Sequence, residues 1–343
     1  MKKNLIAIVI LFALGSCNTS QQNLKVKLIN EKFQTMSIEA DNVDSPVFWK
    51  GNNGEEWIIS TAKGTHQLII DNAVTGVNIK RIGSAGSGKG QFLRPNGISV
   101  VDNLLFVVER DNHRVQVLSL PDFNSLGTFG DSTLIKPYGI YLFKEYENYT
   151  VFVTDNYEFE KDIIPADSLL GKRVQKFSVT IKDKQIVAAF IGYIGEIKGK
   201  GVLRVVESIF GDPENKLLLI AEEDTTQSSI KVYNLNGSYT GKNFGSGIFH
   251  GQVEGIALYD GSDGNGFWFI TDQSYTKNTF YIFDRKTFEL EGAFSGPNTK
   301  NTDGIWLTQT PFKNFPGGAF IAVNNDRNVS VFDLNEIMDI LNK

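Results

Sequence analysis

The chain of 343 residues contains only one cysteine and three histidines. A single cysteine excludes an intramolecular disulfide and a cysteine-rich zinc site. The histidines, His66, His113 and His250, do not show the close spacing of zinc-binding motifs, so a histidine metal centre has no support. The sequence also lacks a Gly-x-Ser-x-Gly motif, which argues against the serine nucleophile of an α/β-hydrolase.

The chain has no excess of basic residues either. It contains 34 Lys and Arg against 39 Asp and Glu, and its formal net charge is −5. This balance gives no electrostatic reason to expect a nucleic acid partner. A phosphorylated small molecule is compatible with the charge if metal ions offset the repulsion between the ligand and the carboxylates.

No apolar run is long enough to span a membrane, which requires about 20 residues. The N-terminus instead has Lys2 and Lys3 before a short apolar run that reaches Leu14, as in a signal peptide. The following Leu-Gly-Ser-Cys resembles the bacterial lipoprotein box, in which the cysteine is lipidated after cleavage. We therefore expect a signal peptide at residues 1–16, a lipid anchor at Cys17, a polar tether over residues 17–38, and attachment to the cell envelope, with the outer membrane as the expected site.

Six units of similar sequence fill the remaining chain. Each unit opens with a polar residue that precedes a short strand pattern, and a second apolar run ending in acids or amides follows. The openers are Asp44, Asn96, Tyr138, Glu207, Glu254 and Asp303. Repeats of about 40 to 50 residues with several short strands are typical of β-propeller blades. We predict an all-β, six-bladed β-propeller over residues 39–343 with a short C-terminal helix at 334–341, and a monomer.

A propeller arranges the first strand of every blade around a central channel, so the openers should meet. The last three units also carry acids and amides where their second strands end. These groups are Glu207 with Glu222, Glu223 and Asp224; Glu254 with Asp272 and Gln273; and Asp303 with Asn324, Asn325 and Asp326. Such oxygen ligands suit Ca²⁺, which takes 6 to 8 of them. The alternative is that they are solvated turn residues, which are common in β-proteins.

Two basic residues occupy corresponding positions in the early units. Lys63 follows the second strand of the first unit, and Arg110 ends that of the second. Beside a carboxylate-bound metal, a lysine and an arginine are suited to binding phosphate. Each could equally be a surface cation that pairs with a neighbouring acid.

Several segments, in order, resemble the β-propeller phytases, also called 3-phytases. The similar segments are Asp44-Ser-Pro-Val-Phe-Trp, Ile220-Ala-Glu-Glu-Asp, Val253-Glu-Gly-Ile, Asn301-Thr-Asp-Gly-Ile and Phe315-Pro-Gly-Gly-Ala-Phe. The resemblance implies a six-bladed, calcium-dependent phosphoric monoester hydrolase that acts on inositol hexakisphosphate through metal-activated water.

The resemblance and the acid clusters together give the candidate site. Candidate metal ligands are Asp44, Glu207, Glu222, Glu223, Glu254, Gln273 and Asp303. Candidate catalytic residues are Glu222, Glu207 and Tyr138, and candidate phosphate-binding residues are Lys63 and Arg110. The sequence departs from the family pattern at Ser45, Asn156, Gln252 and Pro297. The loss of charge at these positions predicts weaker calcium binding.

One unit also resembles the NHL repeat, a propeller repeat that commonly serves in binding. The similar segments are Gly88-Lys-Gly-Gln-Phe, Pro95-Asn-Gly-Ile and Asp111-Asn-His-Arg-Val-Gln-Val. Two alternatives therefore stay open beside the phosphohydrolase. The first is a non-catalytic lipoprotein that binds a ligand or a protein, and the second is a sugar-lactone hydrolase on a similar scaffold.

Overall fold

A computed structural model describes residues 25–341. The predicted signal peptide and the lipidation site at Cys17 lie outside these residues. Within residues 25–341, no helix is long and apolar enough to cross a membrane.

The chain forms six sheets, each built from antiparallel strands of one blade, that are arranged as a β-propeller, as the sequence predicts. Two short N-terminal strands, β1 (Lys27–Leu28) and β2 (Phe33–Gln34), come first. Blade 1 contains β3 (Val43–Lys50), β4 (Glu56–Ala62), β5 (Gln67–Asn72) and β6 (Asn78–Ile82). Blade 2 contains β7 (Pro95–Val101), β8 (Leu104–Glu109), β9 (Arg114–Ser119) and β10 (Asn124–Phe129). Blade 3 contains β11 (Pro137–Glu145), β12 (Asn148–Asp155), β13 (Val174–Lys182) and β14 (Gln185–Ile194).

The remaining blades follow the same order. Blade 4 contains β15 (Ile209–Asp212), β16 (Leu217–Glu222), β17 (Ser229–Asn234) and β18 (Tyr239–Phe244). Blade 5 contains β19 (Gln252–Asp260), β20 (Gly266–Gln273), β21 (Thr279–Asp284) and β22 (Leu290–Ser295). Blade 6 contains β23 (Ile305–Thr308), β24 (Ala319–Asn324) and β25 (Asn328–Asp333). The short helix α1 (Leu334–Met338) then begins at Asp333, whose side chain accepts a hydrogen bond from the Asn335 amide.

Apolar side chains fill the spaces between neighbouring blades. The second strand of each blade is almost wholly buried, because both of its faces pack against adjacent sheets. Between blades 1 and 2, for example, Val47 and Ile59 pack in one cluster with Ile98 and Val107. The core therefore surrounds the central channel, and polar side chains are left at its mouth.

Small residues after the openers let the inner strands approach closely. A Cβ added to Gly139 would lie 2.1 Å from the carbonyl oxygen of Glu207. A Cβ added to Gly97 would lie 2.4 Å from the carbonyl oxygen of Tyr138. Because real side chains do not tolerate such distances, glycine is required where one inner strand meets the next. The close contact places the opener of each blade beside that of its neighbour.

The N-terminal segment closes the ring. β2 pairs antiparallel with β25, so it supplies the outer strand of blade 6. β1 pairs parallel with β22 at the edge of blade 5. Residues that the sequence assigns to the polar tether, 27–34 among them, are therefore partly structured here. Two-residue strands carry no alternating pattern that a sequence could reveal.

Replacing Phe33 by alanine should weaken this closure. The Phe33 ring lies 6.3 Å from the Phe315 ring and packs against Gly76. We expect the free energy of unfolding to fall by about 2 to 3 kcal/mol, less than the about 3 to 5 kcal/mol lost at a fully buried phenylalanine, because the ring is only partly buried. The matched control is Phe159→Ala, whose ring is 65% exposed, and it should change stability by less than about 0.5 kcal/mol. If Phe33→Ala and Phe159→Ala lost the same stability in denaturant unfolding, the role of Phe33 in attaching the N-terminal segment would be contradicted.

Candidate metal and phosphate site

The openers come together at the mouth of the channel. A pocket there is lined by Asp44, Ser45, Gly97, Tyr138, Gly139, Glu207, Ser208, Glu254 and Asp303. The sixth opener, Asn96, is buried and donates a hydrogen bond from Nδ2 to Asp44 Oδ1 at 3.4 Å. Residues that are up to 259 positions apart in sequence, Asp44 and Asp303, thus share one site.

A second set of side chains contacts the openers from the ends of the second strands of blades 1, 2, 4 and 5. These are Lys63, Arg110, Glu223 and Gln273. The acid at the end of the strand is used inside the blade, where it accepts hydrogen bonds from backbone amides. Asp155, for example, accepts from the amides of Ile135 and Lys136 at 3.0 and 2.6 Å. Glu109, Glu222 and Asp272 accept from backbone amides in the same way. The residue after each acid is then free to contact the openers.

Glu222 and Glu223 illustrate this alternation. Glu222 accepts hydrogen bonds from the amides of Arg204 and Val205 at 2.8 and 3.0 Å, so its carboxylate holds the loop that leads to Glu207. The structure places it outside the group of openers, although the sequence assigns it catalytic and metal-binding roles. Glu223 instead points to the openers, because successive residues at a strand end face opposite sides.

Glu207, Glu223 and Glu254 form a compact carboxylate cluster. One oxygen atom of each lies within 4.8 Å of those of the other two. Burial, and then the charges of Glu254 and Glu207, raise the pKa of Glu223 well above its usual range. Burial, followed by the charges of Asp44 and Asp303, raises the pKa of Glu207 to about 8. The three side chains therefore repel one another when all are ionised, which a bound cation would relieve.

Lys63 lies between the carboxylates of Asp44 and Asp303. Its ammonium is 2.8 Å from Asp44 Oδ1 and 2.9 Å from Asp303 Oδ2. Burial alone would lower the pKa of Lys63, but the two carboxylates outweigh it and raise that pKa. Gln273 completes the arrangement, because its Nε2 donates to Asp303 Oδ1 at 2.5 Å. Lys63 is thus an internal counter-ion as well as a candidate phosphate ligand.

Arg110 of blade 2 and Tyr138 of blade 3 form a polar pair in the same site. Arg110 Nη1 donates to the Tyr138 hydroxyl at 3.2 Å, and its Nε donates to Asp111 at 2.8 Å. Burial, and then the charge of Glu207, raise the pKa of the Tyr138 hydroxyl. Tyr138 therefore keeps its proton at neutral pH and can donate a hydrogen bond into the site.

The long insertion of blade 3, residues 158–170, is anchored beside this mouth. Arg204 donates to Asp224 Oδ2 at 2.5 Å and to Asp167 Oδ1 at 2.8 Å, so it ties the insertion to the residue after Glu223. Lys136 contacts Glu158 at 2.6 Å at the other end of the insertion. The insertion contains an isolated β-bridge between Glu160 and Ile163 and one 3-10 turn, Asp167–Leu169. It borders the site on the side of blades 3 and 4.

The four departures from the family pattern lie in different surroundings. Ser45 Oγ donates to Asp44 Oδ2 at 2.8 Å, so a neutral hydroxyl stands beside a candidate ligand. Asn156 is buried and accepts a hydrogen bond from the Val206 amide at 3.4 Å. Gln252 is exposed, and Pro297 lies in the loop between β22 and β23. Ser45 and Asn156 thus remove charge close to the site.

The residue pairs that end the second strands can be aligned between blades from the sequence. Ala62-Lys63, Glu109-Arg110, Asp155-Asn156, Glu222-Glu223 and Asp272-Gln273 occupy matching positions. When the repeats are aligned on these pairs, Glu223 occupies the same alignment column as Lys63 and Arg110. Glu222 occupies the column of Glu109, Asp155 and Asp272, the acids that accept hydrogen bonds from backbone amides.

The carboxylates of the site should make the folded protein less stable as the pH rises. The ordinary pKa is 4.5 for Glu207 and 3.8 for Asp303, but the folded protein raises these pKa values to about 8 and about 6. The folded state therefore keeps protons that the unfolded state releases, so stability falls as the pH rises through this window. In a calcium chelator, we expect a lower melting temperature at about pH 8.5 than at about pH 5.5, and Glu207→Gln should flatten the difference. A parent melting temperature that rises over this range would contradict the assignment.

Two family models match the chain. The phytase model matches residues 190–340, and the NHL repeat model matches residues 92–118. The phytase match includes the whole carboxylate cluster together with Gln273 and Asp303, whereas Lys63, Arg110 and Tyr138 lie before it. No curated protein matches the chain.

Solved structures with a similar chain path have low sequence identity. Hydrazine synthase from Kuenenia stuttgartiensis is 12% identical, with 94% of this chain and 82% of that chain covered and a TM-score of 0.48. A DUF4221 family member from Bacteroides vulgatus is 12% identical, with 89% and 97% covered and a TM-score of 0.49. A streptogramin B lyase is 12% identical, with 87% and 96% covered and a TM-score of 0.48. These values carry no information about function. The chain is therefore a six-bladed β-propeller whose residues 190–340 match the phytase family, which confirms the resemblance predicted from the sequence.

Proposed function

We propose that this protein is a calcium-dependent phosphohydrolase of the phytase type, which removes phosphate from inositol hexakisphosphate or a related phosphoester. The observation that carries the proposal is the cluster of Glu207, Glu223 and Glu254 inside the segment that matches the phytase family.

Calcium fits the residues of this site. The donor set consists of carboxylate oxygens, which are the ligands that Ca²⁺ prefers. Among the described residues, the buried Glu223 Oε1 has no hydrogen-bond partner, so an acceptor is left for a cation. Glu207, Glu223 and Glu254 would hold the ion, with Asp44 and Asp303 beside them. When bound, calcium supplies positive charge that offsets the charge of the phosphate and lowers the pKa of water in the site.

The chain itself would bind and orient the phosphate. Arg110 has a guanidinium that suits two phosphate oxygens, and Asp111 and Tyr138 hold it in place. The protonated Tyr138 hydroxyl would donate a further hydrogen bond. Lys63 can turn from its carboxylate partners to the phosphate once a cation neutralises them. No side chain in this arrangement needs to form a covalent intermediate.

The proposal is tested by phosphate release from inositol hexakisphosphate. Release by the purified protein should require calcium and stop when a chelator is added. Release that is the same in calcium and in chelator, or absent in both, would contradict the proposed function.

A binding module without catalysis is the second candidate. The NHL match over residues 92–118 and the Lys63 ammonium between Asp44 and Asp303 favour it. This candidate predicts that calcium raises the melting temperature and that no phosphate is released from any phosphoester. A lactone hydrolase would instead cleave lactones and leave phosphoesters intact.

We also propose that the protein is anchored to the cell envelope through lipid on Cys17, on the basis of the Leu-Gly-Ser-Cys segment that ends there. Mass spectrometry of the mature protein should find a lipidated N-terminal cysteine. The Cys17→Ser variant should carry no lipid and keep its signal segment. An unmodified cysteine in the parent would contradict the anchor.

A further inference from the structure

A cavity of about 140 Å³ lies between blades 1 and 6, beside the N-terminal segment that closes the ring. Its walls come from the four strands of blade 1, from β25 of blade 6, and from residues 35–41, which follow β2. Met36 lines the cavity and is 66% exposed, so this side chain lies between the cavity and solvent. A cavity of about this size holds a molecule as large as benzene. None of the openers lines it, so it is separate from the channel mouth.

The wall of this cavity combines apolar side chains with one buried carboxylate. Val43, Ile69 and Val329 supply apolar surface. Asp71 is 3% exposed, and Asn78 Nδ2 donates a hydrogen bond to its Oδ1 at 2.8 Å. Burial raises the pKa of Asp71 above its ordinary value, although the hydrogen bond from Asn78 opposes this shift. The carboxylate therefore lies in surroundings that solvate its charge poorly.

The two arginines that line the cavity are paired with other acids. Arg81 Nη1 donates to Asp41 Oδ2 at 3.1 Å, and its Nη2 contacts the second oxygen of the same carboxylate. Arg327 Nη2 lies 3.1 Å from Glu39 Oε2. Asp71 is thus left without an ion-pair partner among the described residues. Burying such a charge costs free energy unless a cation pairs with it.

A buried hydroxyl in the same cavity also lacks a partner. Ser60 is 2% exposed, and its Oγ has no hydrogen-bond partner. Ser60 pairs with Ile69 across β4 and β5, so Ser60 and Asp71 project from one face of blade 1 as diagonal neighbours, with backbones about 7 to 8 Å apart. Buried polar groups are nearly always hydrogen-bonded, so a donor is missing at this position. An ammonium group has three N–H donors and can serve both oxygens at once.

We propose that this cavity binds a small protonated amine, with the ammonium group between Asp71 and Ser60 and a short aliphatic chain against Val43, Ile69 and Val329. An anion would be repelled by Asp71, and a neutral apolar molecule would leave both polar groups unpaired. Water could form hydrogen bonds to them, but it would not neutralise the carboxylate. The site shares no residue with the proposed metal and phosphate site, so either can exist without the other.

The test follows the methyl group of Met36 by nuclear magnetic resonance in the full chain, labelled at methionine and titrated with n-butylammonium. This probe has about five non-hydrogen atoms and fits a cavity of this size. The Met36 signal should shift and saturate, whereas that of Met338, which packs against the core from α1, should not shift. n-Butanol has the same length without the charge. It should bind at least about 10-fold more weakly, because it cannot form a charge-assisted hydrogen bond as an ammonium does.

Asp71→Asn tests the assigned carboxylate, since it removes the charge with little change of shape. It should weaken the binding of n-butylammonium at least about 10-fold and leave the binding of n-butanol unchanged. Glu223→Gln is the matched control, because it removes a buried carboxylate from the channel mouth instead. Its Met36 signal should respond to n-butylammonium as in the parent.

The comparison of the two probes in the parent decides the case in which Asp71→Asn does not fold. A Met36 signal that does not respond to n-butylammonium would show that the cavity holds only water, and it would overturn the proposal. Equal affinity for n-butylammonium and n-butanol would overturn it too. So would equal affinity of the parent and a folded Asp71→Asn for n-butylammonium, or a loss of the Met36 response in Glu223→Gln.

Discussion

Replacing Glu223 by glutamine is expected to abolish the rise in melting temperature that calcium produces. The parent should gain about 2.7 kcal/mol of stability when calcium is present at about 100 times its dissociation constant. Glu223→Gln removes one of the three carboxylates whose oxygens lie within 4.8 Å of one another, and it leaves a neutral amide in the cluster. In chelator, the variant should be at least as stable as the parent, because one source of repulsion is gone.

Glu222→Gln is the matched control, since it makes the same chemical change one residue away. It weakens the hydrogen bonds to the Arg204 and Val205 amides and leaves Lys231, 3.9 Å away, without its carboxylate partner. We expect it to lose about 2 kcal/mol of stability with or without calcium, and to keep its calcium response. In calorimetric unfolding, Glu223→Gln should therefore lose the calcium-dependent rise in melting temperature. Glu222→Gln should keep that rise but melt at a lower temperature with or without calcium. If Glu222→Gln lost the calcium response and Glu223→Gln kept it, the assignment of the two acids would be reversed.

Replacing Lys63 by methionine is expected to lower the free energy of unfolding strongly in chelator, and calcium should restore much of it. The change leaves the buried Asp44 and the half-buried Asp303 without the ammonium that lies 2.8 and 2.9 Å from them. Removing one partner of a buried ion pair costs about 3 to 5 kcal/mol, so the variant should be strongly destabilised in chelator. Calcium should restore more stability to this variant than to the parent, because two further carboxylates become available to the cation.

Lys231→Met is the control for Lys63→Met, because Lys231 is also a buried lysine and its carboxylate partner is Glu222, not an opener. It should lose stability in chelator, but calcium should restore no more of it than in the parent. Unfolding in urea with calcium or chelator measures both changes. An equal calcium response in the two lysine variants would show that Asp44 and Asp303 do not contribute to cation binding.

The fold and the meeting of the openers could be predicted from the sequence, because a six-fold repeat places equivalent residues in equivalent positions. The choice between Glu222 and Glu223 could not be made from one blade alone, since adjacent residues differ in direction and both are acids. The other blades contained that information, because Lys63 and Arg110 occupy the same column as Glu223. The counter-ion role of Lys63 depends on the distance between blades 1 and 6, which no local pattern reveals.

The N-terminal strands β1 and β2 could not be predicted from the sequence for a different reason. Lys27–Leu28 and Phe33–Gln34 are too short to show alternation, and they form only because the outer edges of blades 5 and 6 accept them. Their polar surroundings resemble a linker in composition. Ring closure therefore followed from tertiary pairing and not from local preference.

The most direct test of the central claim is calcium-dependent phosphate release from inositol hexakisphosphate by the parent, Glu223→Gln and Glu222→Gln. We predict that the parent and Glu222→Gln release phosphate in calcium at comparable rates below the melting temperature of either protein. Glu223→Gln should lose at least about 100-fold, as expected when a group that holds an essential metal is removed. Equal phosphate release by Glu223→Gln and the parent would contradict a metal site built on Glu207, Glu223 and Glu254.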